Sequence, residues 1–307
     1  MSEEKLNLLG YSLQSLEAFF EQIGEPKFRA KQLIKWVHQK GVLDFDKMSD
    51  FNKQLRFKLK SLAILLPPKI EEIHTSPEGT IKYLIKLESG SMVEMVRIPE
   101  KKRMTLCISS QAGCALQCTF CATGAQGFDK NLTADEIIGQ LWLANFNSKD
   151  QPLITNVVFM GMGEPLLNFV PVIESAKIMK EQLAYGLSRK RITISTSGIT
   201  PQIDQLSSEV DVSLAISLHA PTNELRDEIV PINKKYPISE LINSCNKYLA
   251  FYNGKRSFSR MRYHILFTLK FILYFLKNSD NVDIIVFNAV PHENVLGILL
   301  AKLKGKK

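Results

Sequence analysis

The sequence predicts an α/β protein: parallel strands with helical crossovers, preceded by a small N-terminal helical domain and a short β-hairpin segment. Three observations predict it. Residues 1–66 hold three stretches of helical periodicity, residues 67–103 alternate apolar and polar side chains across a turn, and residues 104–307 alternate strand-like with helix-like runs. The last rhythm calls for parallel strands with helical crossovers, a plan that puts functional loops at the carboxyl ends of the strands.

The elements follow in order. "SLQSLEAFFEQIG" has a serine cap at 12 or 15 and stops at Gly24, and "PKFRAKQLIKWVHQKG" opens near Pro26, repeats apolar residues at Phe28, Leu33, Ile34 and Val37, and stops at Gly41. "DKMSDFNKQLRFKLKSL" is a third amphipathic stretch, closed by Pro67-Pro68. "IKYLIKLESG" and "SMVEMVRIP" form the hairpin, and "MTLCISS" is a short strand entering a cysteine-rich loop. Beyond it "ITNVVFMG", "RITIST", "VSLAISLH" and "VDIIVFNAV" read as strands, while "FVPVIESAKIMKEQL", "PQIDQLSS" and "SELINSCNKYLAFY" read as helices.

Composition bounds the class. With 307 residues, 45% hydrophobic and 23% charged, the chain can bury a sizeable core. The net charge of +8 suits a polyanionic partner such as RNA. The first ten residues lack the basic and apolar regions of a signal peptide, and the longest apolar run, residues 263–276, is short and carries Lys270. A cytoplasmic protein without a membrane anchor is expected, and in a reducing compartment clustered cysteines point to a metal or to redox chemistry. The basic runs 100–103, 188–191 and 302–307 suit either solvent or phosphate.

"GCALQCTFCATG" spaces Cys114, Cys118 and Cys121 as C-x3-C-x2-C, with Cys107 upstream. A zinc site would need all four thiols at an unusual spacing. The fourth cysteine and proline of a ferredoxin run are missing, which leaves a four-iron cubane with three ligands and one open iron. Three further strand ends carry polar residues: "GMGEP" at 161–165, "STSG" at 195–198 and "SLHAP" at 217–221. Pro165 stands where a dinucleotide-binding helix would open, so "GMGEP" is not that fingerprint.

These runs, together with "VEMVRIPEKKRMTLCISSQ" and "AISLHAPTNELRDEIVPINKKYPI", resemble the RlmN/Cfr family of radical S-adenosylmethionine (SAM) RNA methyltransferases over residues 10–245. The resemblance implies a radical SAM partial barrel, a [4Fe-4S] cluster on Cys114, Cys118 and Cys121, and SAM held by Gly163, Glu164, Ser195, Ser217, Leu218, His219 and, more loosely, Asn288. It implies methylation of adenine carbon 2 in 23S rRNA and tRNA through a methyl-cysteine. Cys107 would be the resolving cysteine and Glu94 the proton acceptor, and residues 1–66 an RNA-binding accessory domain. An electron donor such as flavodoxin and a monomeric state are expected with it.

The family's acceptor-cysteine motif finds no match downstream of "VFNAVP", so a barrel incomplete in its C-terminal part is expected. Cys245, between Ile242 and Leu249 on an amphipathic stretch, reads as a packed thiol. Two other readings stand beside the enzyme: a protein of this family that binds RNA or SAM without methyl transfer, and a zinc-stabilised binding module on the four upstream cysteines.

Overall fold

The computed structural model describes residues 5–148 and 151–253. The chain opens with a two-residue strand, β1 (Leu6–Asn7), and three helices, α1 (Leu13–Gln22), α2 (Phe28–His38) and α3 (Lys53–Leu62). Ser12 caps α1 by accepting from Ser15 N, and Asn52 caps α3 by accepting from Leu55 N. Each helix buries one stripe: Leu16, Phe19 and Phe20 from α1, Leu33, Ile34 and Val37 from α2, Leu55 and Leu59 from α3. Strand β2 (Ala63–Ile64) returns to pair with β1, which closes the helical unit.

The main sheet begins with β3 (Lys69–Thr75), β4 (Ile81–Lys86), β5 (Met92–Glu100) and β6 (Arg103–Cys107). A small hairpin, β7 (Gln111–Gly113) and β8 (Phe128–Asn131), brackets the one-turn helix α4 (Ala122–Ala125). Helix α5 (Ala134–Phe146) then leads to β9 (Asn156–Phe159), α6 (Phe169–Lys180) to β10 (Ile192–Thr196), and α7 (Thr200–Glu209) to β11 (Ser213–Ile216). Helices α8 (Asn223–Ile229) and α9 (Ile238–Asn253) follow. The strand order is β11-β10-β9-β6-β5-β4-β3: β6, β9, β10 and β11 run parallel, and β5, β4 and β3 extend them as an antiparallel wing. The hairpin expected between two domains is thus joined to the barrel strands through the β5–β6 ladder.

The two faces of this sheet differ. Val93, Met95, Leu106, Val157, Phe159, Ile192 and Ile194 are buried on the helix-covered face, and α5 packs beside α6. The opposite face presents Glu94, Val96, Cys107 and Ser195, none of them fully buried. The pairs Val96↔Cys107 and Cys107↔Val158 put Cys107 on that open face, and Ser195↔Ala215 continues it.

The helical unit shares one core with the barrel. Trp142 Nε1 donates to the Val37 carbonyl at 3.0 Å, Ser12 N donates to Glu174 at 3.0 Å, and Asn7 Nδ2 donates to Asp135 at 2.9 Å. His38 Nδ1 lies 3.0 Å from the Tyr185 hydroxyl. The predicted strand at 282–290 lies outside the described residues.

Candidate active site

The cysteine loop leaves the carboxyl end of β6 and is pinned at its base. Cys114 N donates to Gly127 O at 2.9 Å, and a Cβ on Gly113, at φ +71°, would fall 1.9 Å from that same oxygen. Cys121 N donates to Cys118 O at 3.0 Å and Cys121 opens α4, while Thr119 N reaches across to Ile229 O at 3.2 Å. The three thiols are brought within electrostatic reach of one another.

The "GMGEP" turn leaves β9 and lies directly on the strand-to-loop passage. Gly161 N donates to Ile108 O at 3.0 Å, and Met162 O accepts from Ser110 N at 2.9 Å and from Gln111 N at 3.2 Å. Glycine is required twice here. A Cβ on Gly161 would sit 2.7 Å from Ile108 O, and one on Gly163, at φ +97°, would sit 2.5 Å from Gln111 Cβ. Glu164 follows, buried: Oε1 accepts from Leu166 N at 3.0 Å and Oε2 from Ser197 N at 2.8 Å. Burial raises its carboxyl above the usual range, and the backbone donors of Ser197 and Leu166 oppose the rise.

The ends of β10 and β11 meet beside it. Ser195 Oγ and Ser217 Oγ are 3.3 Å apart, and Ser217 N donates to Thr196 O at 2.9 Å. His219 adopts φ 61°, a left-handed conformation uncommon for a non-glycine residue, and its ring lies 4.5 Å from that of Phe120 in the cysteine loop. Burial, with help from Arg226, lowers the His219 imidazole. Leu218 is half-buried against the core. Ser195, Ser217 and His219 thus share one mouth with the cysteine loop.

Cys107 lies at the base of that mouth. Burial pushes its thiol up to about 11, opposed by a backbone contact at Met160. Glu94 lies on the neighbouring strand on the same face, with its carboxylate 2.9 Å from Lys82 Nζ and its carbonyl accepting from Ser109 Oγ at 2.6 Å. Asn288 lies outside the described residues.

Burial lifts Cys118 to about 11, reinforced by Cys114, Cys121 and Glu164 and opposed by Arg226; burial likewise raises Cys114. Each charged thiolate would disfavour the next, so a bound cation would stabilise their charged forms.

Comparison with known proteins decides the family. Residues 6–65 match the model of the ribosomal RNA large subunit methyltransferase N-terminal domain, and residues 108–255 match the Radical SAM superfamily. The dual-specificity RNA methyltransferase RlmN of Marinobacter nauticus is 53% identical over 258 residues, covering 82% of this chain and 70% of that protein. The chain belongs to the RlmN family. The Pseudomonas fluorescens RlmN is 48% identical over 304 residues, covering 95% of this chain and 79% of its own length. A crystal structure of a radical SAM methyltransferase from Sphaerobacter thermophilus matches with a TM-score of 0.74 at 38% identity, over 80% of this chain and 73% of that one.

RlmN-family enzymes use a [4Fe-4S] cluster and SAM, and the donor set here suits both: three thiols on one pinned loop, and a buried carboxylate with paired hydroxyls beside them. The sequence reading did not single out Arg226. It is fully buried and donates from Nε to Leu218 O at 2.9 Å. A charged residue amid "NELRDEIVPIN" resembles one turn of a solvated helix, and only its following "PIN" turn hints at burial.

Proposed function

We propose that this RlmN-family chain methylates carbon 2 of adenine in RNA, with 23S rRNA and tRNA as substrates. The observation that carries the proposal is the meeting of the cysteine loop, Glu164 and the Ser195–Ser217 pair at one mouth, with Cys107 and Glu94 on the same sheet face. Cys114, Cys118 and Cys121 would hold the cluster, and Gly163, Glu164, Ser195, Ser217, Leu218, His219 and Asn288 would hold SAM. Bound there, the two supply one-electron cleavage of a carbon–sulfur bond and thus a carbon radical able to attack an unactivated position.

The chain's own residues do the rest. Glu94, partly exposed and paired with Lys82, would take a proton from the substrate. Cys107, a protonated thiol at rest, would take the resolving role that the family resemblance gives it. The RNA names of the relatives and the net charge of +8 support an RNA partner. A monomer in the cytoplasm, fed electrons by a donor such as flavodoxin, completes the reading.

One observation favours a second reading, in which RNA and SAM bind without methyl transfer. Cys245 is packed on α9 and burial pushes its thiol up to about 11, which makes it a poor nucleophile for taking up a methyl group. One anaerobic assay separates the two. The reconstituted protein is given SAM, a reductant and an unmodified 23S rRNA fragment. The expected products are 2-methyladenosine and 5′-deoxyadenosine. Deoxyadenosine without methylated RNA, while an RlmN relative succeeds alongside, would overturn the first reading in favour of the second.

A further inference from the structure

Arg226 is the largest unexplained charge near the mouth. Its guanidinium is fully buried and spans two strand ends. Nε donates to Leu218 O at 2.9 Å, and Nη2 donates to Ser197 O and to Ser217 O, the latter at 3.5 Å. Nη1 donates to Asn233 Oδ1 at 2.7 Å. Asn233 in turn donates to Asp227 Oδ1 at 2.6 Å, so the nearest carboxylate is reached through an amide. Among the described residues no ion pair to Arg226 is formed.

A buried cation without a contacting anion is costly unless something nearby compensates it. Carbonyl dipoles do part of this. The remainder points toward the cysteine loop, because α8, which carries Arg226, abuts that loop: Ile229 O accepts from Thr119 N at 3.2 Å, next to Cys118, and the ring of His219, next to the Leu218 that Arg226 holds, lies 4.5 Å from that of Phe120. A cubane in its 2+ state with three thiolate ligands carries a net charge of −1, and SAM adds a carboxylate. The planar fork of arginine also suits the bridging task, since lysine cannot hold several carbonyls in one plane.

We infer that Arg226 is a positioning residue: it locks the carboxyl ends of β10 and β11 in register for SAM and places a buried positive charge beside the thiolate-ligated cluster. The inference rests on the cluster-and-SAM reading above. It separates into two tasks, bridging and charge, that two substitutions distinguish.

The experiment uses anaerobically reconstituted full chain and reads iron content, SAM affinity by equilibrium dialysis, and the cluster midpoint by an EPR-monitored redox titration. Arg226→Lys keeps the charge and loses the bridge, so SAM affinity falls at least tenfold while the midpoint holds. Arg226→Gln loses both, so at the wild-type midpoint the reduced fraction of cluster also falls to about one-tenth of the oxidised, a shift of ~59 mV for one electron. Arg97→Lys controls for general loosening: Arg97 is equally buried, but on the helix-covered face, where it donates to Ala144 O at 2.9 Å. Wild-type midpoint and SAM affinity in Arg226→Gln at full iron content would overturn the inference. If Arg226→Gln does not fold, SAM affinity within twofold of wild type in Arg226→Lys overturns it instead. A wild-type protein that takes up no cluster would fail the underlying reading, a result visible before any variant is made.

Discussion

Glu164 Oε2 accepts from Ser197 N at 2.8 Å while its Oε1 accepts from Leu166 N at 3.0 Å, so one buried carboxylate joins the turn after β9 to the turn after β10. Two backbone donors therefore depend on two carboxylate oxygens. Glutamine offers one acceptor and turns an amide N–H₂ toward the other donor. Glu164→Gln should lower stability by about 1–3 kcal/mol, the cost of one unsatisfied buried group. Urea denaturation of the cluster-free protein checks this, and a variant as stable as wild type would contradict it.

Gly163→Ala should be worse than an ordinary glycine replacement. The new Cβ meets Gln111 Cβ at 2.5 Å, and the backbone must stay at φ +97°. The backbone penalty alone is of order 1–3 kcal/mol. The expected result is a lowered thermal midpoint together with loss of the iron–sulfur absorbance, because Gln111 begins the passage into the cysteine loop. Gly90→Ala, at a turn with open space around it, should retain that absorbance.

His38 sets an acid limit. Burial lowers its imidazole from 6.5 to about 3. The folded state thus keeps it neutral where the unfolded chain takes up a proton, so stability is full above about pH 6.5 and is lost as pH falls toward 3. Within that window the loss approaches about 1.4 kcal/mol per pH unit. His38→Gln should flatten this part of the stability curve. A wild-type slope unchanged by the substitution would show that other groups govern acid unfolding.

The four upstream cysteines should divide by iron content. Cys107 sits in the β5–β6 ladder opposite Val96, away from the loop that carries Cys114, Cys118 and Cys121. Cys107→Ser should keep the iron content of wild type and lose product release, whereas Cys118→Ser should lose most iron. Equal loss in both would make Cys107 a ligand.

Much of this was legible in the sequence because each signal was local. Ser12 and Gly24 bracket α1, and the four strand ends with polar residues open onto one mouth as their alternation implied. Strand β3 and helix α5 are among the elements that were not legible. Strand β3 is an edge strand exposed along most of its length, so it has no apolar alternation to read. Helix α5 is buried without interruption from Glu136 to Ala144, which erases the stripe that marks an amphipathic helix, although its Thr133–Glu136 capping box was a readable start. Arg226 and Lys82 escaped for another reason: their partners lie on other elements, and no pattern along one chain segment encodes them.

The hydrogen bonds that pin the cysteine loop have a kinetic consequence. The loop is anchored at Gly127, Ile229 and Met162 by backbone hydrogen bonds that involve no thiol. Its ordering entropy is therefore spent during folding and not at metallation. Cluster uptake from a carrier protein should then be second order, with a rate proportional to carrier concentration and no slow isomerisation plateau. The far-ultraviolet dichroism should stay constant throughout, the mark of a mould filled rather than a chain folded around its cargo.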